Sequence, residues 1–258
     1  MPSTVATVIG CSGTAAGPHA PGSCYLIESG DASVLIDVGP GSLAGVVERI
    51  NWHRLSAIIV THLHADHCSD LVGLSYARAN TLCWPFPQPG DEFPPIRVIA
   101  PAGARDRVAR LYHQPAYDWL DRSFTFETLT PGPIAVDGIT MCAFPVLHPI
   151  ETYGIRVSGS HGDLVYTADT AYSDDLVTSV AGAAVLLCEA TLLSGHWAPP
   201  DTHMTGAEAG VLAQRASAGA LVLTHIPPWL DRRAVADEAR RAFTGPLFTA
   251  SPAMTFTI

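Results

Sequence analysis

Three histidines and an aspartate fall within six residues at His62-Leu63-His64-Ala65-Asp66-His67. A neutral imidazole is a good ligand for zinc and related divalent ions, and a carboxylate is a harder one. The apolar run Ala57-Ile58-Ile59-Val60-Thr61 opens directly into this cluster. A turn after a strand can aim His62 and His64 to one side and Asp66 and His67 to the other, which offers two adjacent metal positions. Such a pair needs more ligands than one loop supplies. Three further candidates each follow an apolar run: His148 after Phe144-Pro145-Val146-Leu147, Asp169 after Leu164-Val165-Tyr166-Thr167-Ala168, and His225 after Leu221-Val222-Leu223-Thr224. Two ions held side by side lower the pKa of water and neutralise phosphate charge, so the chemistry expected is hydrolysis.

The elements that must hold these residues alternate along the chain. Val5 to Ile9 reads as a strand entering the turn Gly10-Cys11-Ser12-Gly13-Thr14. Residues 23–28 and 33–37 form a hairpin across Gly30-Asp31, and 43–50 has helical spacing. Residues 84–95 hold five prolines and must be loop. A strand at 97–100 leads into a helix from about Pro101 to His113. Runs at 123–129, 134–147, 152–158 and 163–168 are β-rich, with turns such as Asp137-Gly138. The last third alternates a strand at 185–188, a helix at 205–217, a strand at 221–224 and a helix at 231–243. Two β-rich halves, each followed by helices, suggest sheets packed inside helical layers.

Composition narrows the classes. The chain has 258 residues, 48% of them apolar, which is enough for a real core in a single domain over 1–258. Its net charge is −10 and its 14 basic residues are all arginine. Extended contact with nucleic-acid backbone needs cations to neutralise phosphates, so none is expected. No apolar run reaches the roughly 18 residues of a membrane span, and Met1-Pro2-Ser3-Thr4 lacks the start of a signal peptide. The six cysteines form no C-x-x-C pair and read as free thiols of a cytoplasmic protein. His19, His53, His113, His161 and His196 fit no ligand slot and read as surface or loop residues. The Gly-rich loop 10–17 could offer N–H groups to a phosphate. Trp229, Trp84 and Phe86 could stack on a base, although packing explains them as well.

The pattern H-x-H-x-D-H followed by a distant His, Asp and His resembles the metallo-β-lactamase superfamily, and the likeness spans almost the whole chain. It implies an α/β fold, an αβ/βα four-layer sandwich with metals at one edge. By that resemblance His62, His64 and His148 hold one ion. Asp66, His67 and His225 hold the other, and Asp169 bridges the two. Zinc is the expected ion, though Mn²⁺ or Fe²⁺ suits the same donors. The superfamily's β-lactamases usually carry Cys where Asp169 stands, so antibiotic hydrolysis is not expected.

Glu189-Ala190-Thr191 and His203-Met204-Thr205, the latter before Glu208, look like motifs of the tRNase Z and phosphodiesterase branch. The resemblance implies a catalytic group of Asp66, His203 and Glu189, with His203 protonating the leaving oxygen and Glu189 orienting it. Within that branch, Gly10-Cys11-Ser12-Gly13, His148-Pro149, Thr205-Gly206-Ala207-Glu208 and Thr224-His225-Ile226-Pro227-Pro228-Trp229 are similar to actinobacterial cyclic-nucleotide phosphodiesterases. The reaction implied is hydrolysis of a small phosphodiester such as 3′,5′-cAMP by a hydroxide bridging the ions. A homodimer is compatible with the resemblance. The path from His148 to Asp169 is short and holds one basic residue, Arg156, so the arm that grips tRNA is missing. An RNase Z-like endoribonuclease and a thioesterase or lactonase remain the alternative readings.

Overall fold

The computed structural model describes residues 3–81, 93–112 and 117–258. The first half runs β1 (Thr4–Gly10), β2 (Cys24–Ser29), β3 (Ala32–Ile36), α1 (Ser42–Arg49), β4 (Ala57–Ile59), α2 (Ala65–Cys68), α3 (Asp70–Thr81), β5 (Ile96–Ala100), α4 (Ala104–Ala109), α5 (Tyr117–Ser123) and β6 (Phe124–Thr128). The second half runs β7 (Gly132–Val136), β8 (Ile139–Pro145), β9 (Tyr153–Val157), β10 (Leu164–Tyr166), α6 (Asp174–Ser179), β11 (Val185–Glu189), α7 (Gly206–Arg215), β12 (Ala220–Thr224), α8 (Arg232–Arg240) and β13 (Leu247–Thr249). A final strand, β14 (Thr255–Thr257), returns to the first half.

The strands form two seven-stranded mixed sheets, ordered β14-β1-β2-β3-β4-β5-β6 and β13-β12-β11-β10-β9-β8-β7. Strand alternation explains the layers. In β2, Tyr25 and Ile27 join a core shared by both sheets, while Cys24 and Leu26 join a second core with α1, α3 and α4. In β10, Leu164 and Tyr166 face the shared core and Val165 faces a third core with α6, α7 and α8. Successive side chains of a strand point to opposite faces, so strands buried on both faces read as continuous apolar runs. The order of layers is therefore helix, sheet, sheet, helix, the α/β sandwich that the resemblance implies.

Most expected elements sit where the pattern puts them. The run 134–147 divides into β7 and β8 at Asp137-Gly138, whose φ values of 46° and 88° suit a tight hairpin turn. The helix expected from Pro101 to His113 is shorter: α4 ends at Ala109, and His113 lies outside the described residues. The proline-rich loop, with Trp84 and Phe86, also lies largely outside them. Helices α3 and α6 and the three-residue strands β13 and β14 have no counterpart in the sequence reading. No helix among the described residues is long and apolar enough to cross a membrane. The described cysteines, 11, 24, 68, 142 and 188, are free thiols, and Cys83 lies outside.

Candidate metal centre

The seven expected ligands meet at one end of the sandwich. Strands β3, β4, β10, β11 and β12 are parallel within their sheets, and their carboxyl ends open onto this edge. That is where open α/β sheets place ligands. His62, His64, Asp66 and His67 follow β4, and His67 belongs to the one-turn helix α2. His148 follows β8, Asp169 follows β10 and His225 follows β12.

Two groups of donor atoms emerge, each with all its atoms within 4.8 Å of one another. One is His62, His64, His148 and Asp169, and the other is Asp66, His67, Asp169 and His225. Asp169 is common to both, as the resemblance implies for a bridging residue. A third group, Glu189, His203 and His225, overlaps the second.

Outer partners aim the imidazoles. Nδ1 of His67 donates to Asp37 Oδ2 at 2.8 Å, and Nδ1 of His148 donates to Thr202 O at 2.9 Å. Thr61 Oγ1 donates to Asp37, so it accepts from His62 Nδ1 at 3.1 Å. Thr191 Oγ1 donates to Glu189 Oε2 at 2.8 Å and accepts from His225 Nδ1 at 2.9 Å. This network gives the Nδ1 of all four rings an outer partner and turns each Nε2 toward the centre, the orientation that metal ligation requires.

The inner atoms behave as donors awaiting a cation. His62 Nε2 and Asp169 Oδ1 are buried without a hydrogen-bond partner. Asp169 Oδ1 lies 3.2 Å from His67 Nε2 and 3.4 Å from His225 Nε2 but is aligned with neither. Nε2 of His67 and Nε2 of His225 face each other at 3.1 Å, as do His148 Nε2 and His64 Nδ1. Buried polar atoms without partners are costly, and converging imidazole and carboxylate donors are what a divalent ion satisfies. The residues present fit such ions.

Electrostatics separates the two groups. Burial pushes the pKa of His62, His64 and His148 down, which keeps them neutral and able to donate a lone pair. Burial acts the same way on His67, but Asp169 and Asp37 outweigh it and push that ring up. Burial alone would raise Asp66 and Asp169. The hydrogen bond from His225 and the charge of His67 hold Asp66 low, and the facing imidazoles of His225 and His67 hold Asp169 low.

Glu189 supports the neighbouring residues. Its Oε1 accepts from His203 Nδ1 at 2.9 Å and Thr170 N–H at 2.7 Å. Its Oε2 accepts from Thr191 N–H, Thr191 Oγ1 and Met204 N–H. Burial lowers the His203 pKa, but Glu189 outweighs it and pushes the ring up to about 9. Thr205 then opens α7 with a capping box to Glu208, which fixes the chain just beyond His203.

Strain gathers here. Four non-glycine residues around the centre have left-handed backbone: Thr14, Asp37, Ala168 and His225, with φ of 63°, 59°, 53° and 53°. Each such residue costs of order 1–3 kcal/mol and persists only where the surroundings over-determine it.

Two residues have roles the sequence reading did not assign. Asp37 is fully buried behind His67 and also accepts from Thr61 N–H and Tyr166 Oη. Read in sequence, it only ends a strand before Gly39-Pro40-Gly41. The loop 10–17 is a correction. Most of its N–H groups are committed: Cys11 and Ser12 to Pro21 O, Gly13 to Ile226 O, Ala15 to Gly13 O and Gly17 to Ala20 O. Thr14 N–H donates to Asp66 Oδ2. The loop grips the centre's own carboxylate and not a phosphate. Among the other histidines, His19, His161 and His196 are exposed, and His53 stacks on Trp52.

Known proteins place the chain. Residues 32–226 match the family model described as the β-lactamase superfamily domain. An uncharacterized protein of Mycobacterium leprae is 34% identical over 98% of this chain and 88% of its own length. The probable metallo-hydrolase YhfI of Bacillus subtilis is 28% identical over 93% of each chain. The YhfI crystal structure superposes with a TM-score of 0.86 at 25% identity, covering 99% of this chain and all of that one. Ribonuclease Z of Mycobacterium sp. (strain KMS) is 29% identical over 92% of this chain and 89% of its own length. With its His and Asp donors gathered at the carboxyl ends of two mixed sheets, the chain belongs to the β-lactamase superfamily and has the metallo-β-lactamase fold of its metal-dependent hydrolases.

Proposed function

We propose that this chain is a phosphodiesterase working on two divalent ions, zinc by preference. His62, His64 and His148 hold one, Asp66, His67 and His225 hold the other, and Asp169 is shared. The observation that carries the reading is the Glu189–His203 pair, 2.9 Å apart, set against the second donor group. When bound, the ions supply a water of lowered pKa and neutralise phosphate charge.

The chain's own residues do the rest. His203 is held by Glu189 through Nδ1, so its Nε2 is free to deliver a proton to the departing sugar oxygen. The raised pKa keeps that proton available at neutral pH. Asp37, Thr191 and the carbonyl of Thr202 keep ligand tautomers fixed, so little reorganisation accompanies reaction.

A small substrate, a 3′,5′-cyclic nucleotide such as cAMP, suits the surroundings. No arginine among the described residues hydrogen-bonds to any of the nine site residues, and the chain has no lysine. Arg156 is committed to Asp163 and to the carbonyls of Ser179 and Ala181. A polyanion would find few cations here, whereas a single phosphate needs only the ions and His203. Trp229, four residues after His225, is 66% exposed and available to stack on a base.

The relationship to ribonuclease Z favours RNA cleavage as the second reading. The test is a product assay with quantified metal, with and without chelator, on 3′,5′-cAMP, a linear phosphodiester, a tRNA precursor, an acyl thioester and a lactone. Chelator-sensitive 5′-AMP is the expected product. Cleavage of the tRNA precursor alone, or of the thioester or lactone alone, overturns the assignment.

A further inference from the structure

The turn Cys11-Ser12-Gly13-Thr14 reaches the centre without contributing a ligand. Thr14 N–H donates to Asp66 Oδ2 at 2.8 Å, the oxygen that also lies 3.1 Å from His225 Nε2. To aim that N–H, Thr14 sits at φ 63°, a region that β-branched residues rarely adopt. One residue earlier the turn backs onto the opposite ligand. A Cβ on Gly13 would lie 2.3 Å from His225 O and 2.8 Å from His225 Nδ1. Gly13 N–H donates to Ile226 O at 3.3 Å, which ties the turn to the residue after His225.

The other donor group has different supports. His62 leans on Thr61 and His148 on Thr202 O, and among the described residues neither ring hydrogen-bonds to this turn. One short turn therefore contacts two ligands of a single position, Asp66 through a hydrogen bond and His225 through close packing.

We propose that Gly13 and Thr14 are positioning residues that hold Asp66 and His225 in register for the second metal position alone. The proposal rests on the two-ion reading above. In that reading Asp37 orients His67, Thr191 orients His225 and the Thr14 peptide orients Asp66. Each ligand private to that position has its own outer partner.

The experiment compares wild type with Thr14→Gly, Thr14→Pro and Gly13→Ala. Glycine keeps the N–H and adopts positive φ freely. Proline removes the N–H and fixes φ near −65°. Stepwise zinc affinities come from competition with a chromophoric chelator. Imidazole NMR signals of His67 and His225 report one position, and those of His62, His64 and His148 report the other. Thr14→Gly should bind both ions as wild type does. Thr14→Pro and Gly13→Ala should lose ~10–100-fold in affinity at the His67/His225 position only, the usual effect of removing an outer partner. Circular dichroism of the metal-free proteins checks folding, and Gly13→Ala carries the comparison where Thr14→Pro does not fold. Wild-type affinity in both disruptive variants, equal weakening at both positions, or a Thr14→Gly as weak as Thr14→Pro overturns the proposal. A wild type that binds fewer than two ions instead overturns the two-ion reading itself, before any variant is compared.

Discussion

Each half of the molecule runs three antiparallel strand pairings and then three parallel ones, yet the halves deliver their chemistry differently. The first half presents four donors from one loop after β4. The second presents His148, Asp169, Glu189, His203 and His225 from five separate segments. The contiguous donors are aligned by local turn geometry and one buried acid, Asp37. The dispersed ones are aligned by strand register and by Glu189, whose two oxygens reach Thr170, Thr191, His203 and Met204. A contiguous set tolerates shifts of the sheet beneath it because its members move together. A dispersed set keeps its geometry only while β10, β11 and β12 keep their register.

Variants can break or sharpen that contrast. Asp169→Ala should have the largest effect, because it removes the donor common to both groups. Metal content should fall from two ions to one or none, with activity down by more than the ~10⁴-fold upper range for a lost general acid. Two bound ions and full activity would sink the two-ion reading. His203→Ala should lower kcat by ~10²–10⁴-fold while both ions stay bound. Metal loss in that variant would make His203 a structural support and not a proton donor.

Asp37→Asn tests the buried acid of the first half. Titration with zinc should show an affinity loss of ~10–100-fold at the position His67 serves. Equal loss at both positions would mean that Asp37 holds the whole loop and not one ring.

Glu189→Gln has the smallest expected effect and reports through His203. In metal-free protein the ring should titrate near 9, and in the variant its pKa should fall towards the ordinary value of 6.5. The sign follows from a folded pKa above the unfolded one. The pair's contribution to stability is full below pH 6.5 and is lost as pH rises through about 9. The variant should lack that slope in thermal melts between the two values.

The same contrast governs what could be read from the chain alone. The contiguous donors declare themselves by spacing. His148, Asp169 and His225 were legible because each follows an apolar run that had to be a strand. The layers were legible because those runs are buried on both faces. Asp37 was not, since a lone acid before Gly39-Pro40-Gly41 has the appearance of a turn residue. Its role depends on His67, thirty positions away. The loop 10–17 misled for a related reason. Glycine-rich loops can cradle anions, but whether their N–H groups are free is decided by partners such as Pro21 and Ile226. Strands β13 and β14 are three residues long, too short to show a period.

The crowding around Glu189 has a consequence for where protons come from. Five donors already occupy its oxygens, and the residue is fully buried. With no acceptor position left open, Glu189 serves in the proposed reaction to position His203 and not to supply it with protons. The His203 side chain is 21% exposed. In the reaction proposed above its replacement proton arrives through that open face from bulk water or buffer, which makes the outward side of the ring the inlet of the proposed cycle.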